Sequence, residues 1–301
     1  DSKGIPKSNR APANPTLISA FLSTLAGLYS GNTISNYLHG VRAWHIIHGQ
    51  KWALIDKEVA ALLKAVTSLA PPSSKQPARE PYTINIITLI RAQLDLDSPL
   101  HTAAFTCLTT TFFATARVSE FTLATLSSFD PKLHIRWADI SIVRNHQGLE
   151  VHNFRLLCTK SSPSGEDINW AKQQLGPSDP FTALENHFRV NDPPTEGPLF
   201  TYRHSKGHRP LTKKKFLSVL SSAAKGAGIK PLQGHGIRIG STLEYLLRNV
   251  PFEAVKVKER WASDTFLTYL CRHTQILAPY MQAQPAIHKS FLRYTIPPVW
   301  C

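Results

Sequence analysis

His235 and Arg238 are the first residues in this sequence whose types and spacing could do chemistry. In the run HGIR (235–238) an imidazole and a guanidinium lie three positions apart, on one face at the start of a predicted helix. Backbone N–H groups and the positive end of the helix dipole at such a start favour a bound phosphate. The same pair also suits a structural role, as a capping histidine and a salt-bridged arginine.

Arg117 and Lys160 are two further cations in suggestive positions. Arg117 ends an apolar run in ATARVSEF, and Glu120 follows three residues later. The arginine can therefore form an ion pair with Glu120, or its guanidinium can bind a phosphate in a bidentate manner. Lys160 stands where a predicted strand enters the turn SSPSGE. It is either a solvated hairpin lysine or a general acid delivered to a leaving oxygen.

A tryptophan and a tyrosine lie in ERWASDTFLTYLCRH (259–273), at Trp261 and Tyr269. A tyrosine on an amphipathic helix normally packs in a core or an interface. Tyr245 and Tyr280 lie nearby and compete with Tyr269 for any role as a nucleophile.

The elements that must position these residues form two predicted domains. Apolar spacing predicts helices over 16–28, 33–48 and 57–69, followed by a linker with four prolines at 71–81. Helices are then expected over 83–94 and 98–126, strands between 133 and 170, and helices again from 181 onward, including 211–228, 236–247 and 265–277. The predicted fold is mainly α, with a helical domain (1–75) and an α+β domain (76–301) that holds a small antiparallel sheet.

Charge supplies the strongest indication of a partner. The chain has 34 Lys and Arg against 20 Asp and Glu, a net charge of +14. Residues 191–301 hold 16 basic and 6 acidic residues, whereas residues 81–190 hold 9 and 10. An apolar fraction of 42% excludes a disordered chain, and so concentrated a positive charge predicts a nucleic-acid partner.

Other classes of protein fit less well. The longest uncharged run, 98–116, contains six threonines and His101, so we expect a buried helix and no membrane span. Four cysteines without CxxC spacing favour a reducing compartment over a zinc site or a disulfide framework. No secretory signal opens the chain, and a start at Asp1 with the only methionine at Met281 suggests a fragment or a processed form.

Taken in order, Arg117, Glu120, Lys160, the HxxR run, and an RW followed eight residues later by a tyrosine resemble the tyrosine recombinase (phage-integrase-type) family. HRPLTKKKF (208–216) and the glycine before HGIR fit the same pattern, and the resemblance extends from about residue 81 to 280. The run NTISNYLHGVRAWHIIHG (32–49) resembles the family's core-binding domain. RWASDTFLTYLCRHTQILAPYM looks most like recombinases of eukaryotic mobile elements of the Crypton and DIRS-like kind. This resemblance implies a nuclear location if the source is eukaryotic and a cytoplasmic location otherwise.

The resemblance implies a role for each residue of the motif. Tyr269 would attack a DNA phosphodiester and form a 3′-phosphotyrosyl link. Arg117 and Arg238 would hold the non-bridging oxygens, Lys160 would protonate the departing 5′-oxygen, and His235 would assist proton transfer. Trp261 stands where many relatives carry histidine, and its indole can only donate a hydrogen bond. The Trp-to-Tyr interval is one residue shorter than in many relatives, so Tyr280 stays an alternative nucleophile. No cofactor or metal is expected.

The resemblance also implies double-stranded DNA as the partner and a homo-oligomer, a dimer or tetramer, on that DNA. The basic segment 203–215 is either a solvated face or a track for phosphates, with these candidates: Arg203, Lys206, Arg209, Lys213, Lys214 and Lys215. Arg42 on the helix 33–48 either contacts a groove or belongs to a helix that simply packs. The tail after Tyr280 can fold back or reach a neighbouring protomer. A DNA-binding protein without chemistry and a type IB topoisomerase are the competing functions.

Overall fold

The chain divides into two units, residues 1–78 and 79–301, at a boundary that falls within the proline-rich stretch 71–81. This is a computed structural model, and it describes residues 4, 6, 10–74, 79–159, 162–173 and 176–261. The predicted helix 265–277 and the tail after residue 280 lie outside the described residues.

The first unit is built from three helices, α1 (Pro15–Leu25), α2 (Gly31–Ile47) and α3 (Asp56–Ser68). Side chains start two of them, because Asn14 accepts a hydrogen bond from the Leu17 N–H and Ser30 accepts one from the Thr33 N–H. All three helices were predicted, with ends shifted by at most three residues. Their apolar faces meet in one small core, which contains Ile18, Leu22, Ile34, Leu38, Leu54, Val59 and Val66.

The second unit holds most of the described chain, and its helices surround a buried central one. They are α4 (Ile84–Ala92), α5 (Pro99–Phe113), α6 (Val118–Phe121), α7 (Pro180–Asn191), α8 (Lys213–Gly226), α9 (His235–Leu247) and α10 (Phe252–Lys258). Every residue of α5 from Thr102 to Phe113 is buried. The hydroxyls of Thr102, Thr106 and Thr109 find backbone partners, as where Thr106 Oγ1 lies 2.8 Å from the Ala183 carbonyl oxygen. None of the described helices has the length and apolar character needed to cross a membrane.

The apolar helix ends earlier than predicted. We expected helical structure from 98 to 126, but α5 stops at Phe113, and Thr115 adopts a left-handed conformation with φ of 53°. The Thr115 hydroxyl lies 2.9 Å from the carbonyl oxygen of Lys258, a contact that sequence spacing cannot reveal. Such a conformation costs about 1–3 kcal/mol in a β-branched residue, so tertiary contacts must hold it. Arg117 therefore does not end the apolar helix but precedes the first turn of α6.

The predicted antiparallel sheet is present, as β1 (Ile140–Arg144), β2 (Glu150–Leu156) and β3 (Glu166–Ala171), in that order across the sheet. β2 alternates between an exposed face and a face that buries His152, Phe154 and Leu156. The predicted strand structure before residue 140 is wrong, because 137–139 form a single 3₁₀ turn. There Asp139 accepts hydrogen bonds from the backbone and side chain of Arg136, and these bonds favour the turn.

A second small sheet was not predicted. We expected helices throughout the chain after residue 181, but β4 (Thr201–His204) and β5 (Gly207–Pro210) form a hairpin. Gly207, with φ of 100°, allows the tight turn at the hairpin tip. This hairpin carries the first half of the basic segment and leads directly into α8.

Candidate active site

The site is organised around the start of α9, where His235 is the first helical residue and Arg238 lies one turn later. Two glycines, Gly236 and Gly240, let this helix approach the backbone of the segment 80–82. A β-carbon at Gly236 would lie 2.5 Å from the Glu80 carbonyl oxygen, and the Tyr82 N–H donates a 2.9 Å hydrogen bond to the Gly236 carbonyl. The position of His235 and Arg238 is thus fixed by main-chain contacts.

Arg238 is a buried arginine, with only 3% of the residue exposed. Its Nε donates a 2.6 Å hydrogen bond to Oε2 of Glu259, and its Nη2 donates to the backbone carbonyl of the same residue. The Thr242 hydroxyl donates to the other carboxylate oxygen of Glu259, at 2.6 Å. Burial raises the pKa of Glu259, and Arg238 and Thr242 act in the opposite direction because they favour the ionised carboxylate.

Arg117 is held by Glu120, as one interpretation of the sequence expected. The carboxylate accepts hydrogen bonds from Nη1 of Arg117 at 2.9 Å and from its backbone N–H at 2.8 Å. Glu120 also accepts a 2.9 Å hydrogen bond from Arg260, which in turn donates at 2.7 Å to Glu166 on β3. One carboxylate therefore lies between two arginines, and the second arginine connects it to the sheet.

An open pocket of about 590 Å³ brings the cations together. The charged and titratable residues of its lining are Arg79, Arg117, Lys213, His235 and Arg238, and none of the lining residues is acidic. Such a surface favours an anion, because the charges around the pocket have one sign.

Burial, and then the neighbouring charges of Arg79, Arg238 and Arg117, lower the pKa of His235. The imidazole is therefore mostly neutral near pH 7, since its ordinary pKa is about 6.5. A neutral imidazole has one nitrogen that can accept a proton.

Trp261 lies beside Arg238, whose guanidinium carbon is 6.0 Å from the centroid of the indole ring. Lys160, Tyr269 and the alternative Tyr280 lie outside the described residues. Tyr245 no longer competes as a nucleophile. Its hydroxyl donates a 2.7 Å hydrogen bond to the Phe113 carbonyl, and burial raises the pKa of Tyr245, which disfavours a phenolate.

The residues of the second unit that are predicted to bind DNA lie in two pockets and on the exposed surface. Lys213, in the first turn of α8, lines the pocket of Arg117 and Arg238. Arg203, Arg209 and Lys215 line another open pocket, of about 540 Å³. Lys206 and Lys214 are exposed at the hairpin turn and on α8.

Two of these candidates form ion pairs within the chain. Arg203 pairs with Asp192, with 3.4 Å between Nη2 and Oδ2. In the other unit, on α2, Arg42 pairs with Asp56 at 3.0 Å. Both pairs are solvent-accessible, so a phosphate can compete with either carboxylate.

Sequence reasoning missed Arg79, Glu259 and Arg260. The last two immediately precede Trp261 in the run ERW, so they lay within a segment already recognised as important. A buried arginine needs a carboxylate partner, which would have directed attention to an acid near the motif. Nothing in the sequence singles out Arg79, which belongs to the proline-rich stretch.

Comparison with known proteins supports the fold. No protein-family model matches the chain, and no curated protein sequence matches it. Among solved structures, the chain is similar to a lambda integrase dimer bound to a COC′ core site, with a TM-score of 0.50, 13% identity, and coverage of 89% of this chain and 83% of that one.

Holliday-junction complexes also match. The Flp recombinase complex has a TM-score of 0.44 and 16% identity over 82% of this chain and 60% of that chain. The Flpe complex has a TM-score of 0.42 and 14% identity over 69% and 48%. This chain thus spans about half to three fifths of the length of these two proteins. The predicted fold class is confirmed: the chain has a mainly α tyrosine recombinase fold with a small antiparallel sheet in its second unit.

Proposed function

We propose that the protein is a site-specific DNA recombinase that cleaves and rejoins strands through a 3′-phosphotyrosyl intermediate. One observation carries the proposal: Arg117, His235 and Arg238, which are 121 positions apart at the extremes, line a single pocket whose charged residues are all cationic. A phosphodiester fits such a pocket because the transition state gathers negative charge on the phosphate oxygens.

In this mechanism the phenolic oxygen of Tyr269 attacks the phosphorus, and the bond from phosphorus to the 5′-oxygen breaks. Arg117 and Arg238 stabilise the charge on the non-bridging oxygens. His235, whose pKa is lowered, accepts the phenolic proton, and Lys160 donates a proton to the departing 5′-oxygen. Because the phosphotyrosyl ester retains the bond energy, the free 5′-hydroxyl can reverse the step without ATP. Trp261 contributes a hydrogen-bond donor or a packing contact beside Arg238.

The assembly follows from the same proposal. The unit 1–78 serves as a core-binding domain and the unit 79–301 as the catalytic domain, and both contact double-stranded DNA. Arg42 acts in the first, and Arg203, Lys206, Arg209 and Lys213–215 act in the second. A dimer or tetramer of the chain would bring two DNA sites together. A mobile-element origin and a nuclear location extend the proposal, and they rest on the sequence resemblance alone.

Covalent trapping on DNA tests the proposal. A nicked duplex taken from the flanks of the source gene is incubated with the protein, and adducts are separated by denaturing electrophoresis. We expect an adduct that Tyr269→Phe abolishes while duplex affinity changes little. Tyr280→Phe is the matched control and is expected to retain the adduct.

Each other result has a definite meaning. An adduct that persists in Tyr269→Phe but disappears in Tyr280→Phe would move the nucleophile to Tyr280. DNA binding without any adduct would favour the protein that binds without chemistry. Relaxation of a supercoiled plasmid that lacks any specific site would favour the type IB topoisomerase.

A further inference from the structure

The turn that follows α10 contacts Arg238 directly and reaches Arg117 through Glu120. Glu259 is fully buried, and Arg260 has a left-handed backbone conformation with φ of 58°. This reversal lets two consecutive side chains reach different partners: Glu259 contacts Arg238, and Arg260 contacts Glu120. A left-handed conformation is uncommon in a residue other than glycine, and it requires surrounding contacts to hold it.

Glu259 holds Arg238 along one edge of the guanidinium. Nε and Nη2 are both used, by the carboxylate and by the carbonyl of the same residue. Nη1 makes no hydrogen bond to any described residue, and Arg238 lines the pocket. The guanidinium is thus fixed in one plane with the remaining nitrogen available to a ligand. An arginine oriented in advance loses little freedom when it binds an anion.

Arg260 is connected to Arg117 through Glu120. Glu120 accepts two hydrogen bonds from Arg117, and a second cation, Arg260, donates to the same carboxylate. The Arg260 side chain is only 9% exposed, so little solvent screens this contact. Its other carboxylate partner, Glu166, anchors it to β3. Arg260 thus contacts Glu120, and Glu120 contacts Arg117.

We propose that Glu259 and Arg260 are positioning residues that orient the two phosphate-binding arginines, Glu259 directly and Arg260 through Glu120. The inference rests on the proposed function, because it assigns Arg238 and Arg117 to one phosphate. The alternative is that both residues only stabilise the fold, in which case their removal lowers stability without acting specifically through the arginines.

A double-mutant cycle separates the two possibilities. The single-turnover rate of adduct formation on the nicked flank duplex is measured for the native protein, Glu259→Gln, Arg238→Lys and the double variant. We expect Glu259→Gln to lower the rate by about 100-fold when Arg238 is present, as for loss of an oriented donor. In the Arg238→Lys background the same change is expected to lower the rate by less than about threefold. Equal losses in both backgrounds would overturn the proposal.

A parallel cycle tests Arg260 with Arg260→Lys and Arg117→Lys. A lysine keeps the charge but cannot bridge two carboxylates with a planar fork. We expect a loss of about tenfold that disappears when Arg117 is already replaced. Glu253→Gln, an exposed residue on α10, is the matched control and should retain the native rate. A loss in that control equal to the loss in Glu259→Gln would also contradict the proposal.

A measurement independent of cleavage distinguishes failure of this inference from failure of the proposed function. The ¹⁵N–¹H signal of the Arg238 Nε group is expected to exchange slowly with water in the native protein. It should exchange at least tenfold faster in Glu259→Gln, and also in Glu259→Asp, which keeps the charge in case the glutamine variant does not fold. Unchanged exchange in both would overturn the positioning role. If exchange is faster in these variants but the natively folded protein forms no DNA adduct, the positioning role is supported. Only the proposed recombination is then contradicted.

Discussion

Gly240 of α9 lies so close to Tyr82 that a β-carbon at position 240 would be 1.8 Å from the Tyr82 carbonyl oxygen. The same side of α9 carries Gly236, one turn earlier, whose carbonyl accepts the Tyr82 N–H. The helix that carries His235 and Arg238 therefore packs closely against the backbone of residues 80–82.

Gly240→Ala is expected to destabilise the second unit by about 2–3 kcal/mol, because the methyl group must displace backbone and cannot be accommodated by a side-chain rotation. It should also displace Arg238 and lower any cleavage rate. Gly40→Ala is the control, since that glycine lies within α2 with open space around it. There alanine should raise stability by up to about 1 kcal/mol. Urea unfolding measures both, and a neutral Gly240→Ala would contradict the close approach.

His187 is expected to make the second unit less stable as the pH falls below about 6.5. Its Nε2 donates to the Leu199 carbonyl at 3.0 Å, and its Nδ1 accepts from Asn191 at 3.0 Å, so both nitrogens are used by the neutral ring. Asn191 is itself oriented, because its Oδ1 accepts the Arg203 N–H. Burial lowers the pKa of His187 to about 4.

The unfolded chain then binds a proton between about pH 6.5 and 4 that the folded chain does not, so stability decreases as the pH falls through that range. From pH 7 to pH 5 this residue alone should remove about 2 kcal/mol. His187→Gln should lack that part of the pH dependence, whereas His146→Gln, in the exposed turn after β1, should keep it. Chemical unfolding at the two pH values decides the matter, and identical pH dependence in all three proteins would refute the assignment.

Lys213→Ala is expected to weaken duplex DNA binding several-fold and to reduce the slope of log affinity against log salt by about one, since one phosphate contact is lost. Lys225→Ala, in the exposed last turn of the same helix, should change neither quantity. Fluorescence anisotropy with a labelled duplex at several salt concentrations provides both numbers. An equal loss in both variants would indicate general charge attraction and not a contact beside the pocket.

Elements in which apolar residues recur at a regular spacing could be predicted from the sequence. The three helices of the first unit, α8 and α9 follow from apolar spacing and side-chain caps such as Thr212, and the sheet follows from alternation around the turn at 145–148. The end of α5 at Phe113 could not be predicted, because the run to Ala116 stays uncharged and the break depends on a contact of Thr115 with Lys258, 143 positions away. The hairpin 201–210 was missed because its strands are only four residues each.

Part of the site could be predicted as well. Arg117, His235 and Arg238 came from the order of residue types, and the structure places them around one pocket. Their catalytic roles stay predictions, as do those of Lys160 and Tyr269. Glu259 and Arg260 could not be assigned from spacing, since what each contacts depends on the left-handed turn at Arg260.

The first turn of α8 has a geometric consequence for any polymer that follows this surface. Lys213 lines one cationic pocket and Lys215 the other, and residues two apart on a helix point about 200° away from each other. A single helical turn cannot stretch or bend appreciably, so it keeps the two pockets at a constant separation. Under the proposed function, the first turn of α8 would present Lys213 and Lys215 to phosphates at two separate places.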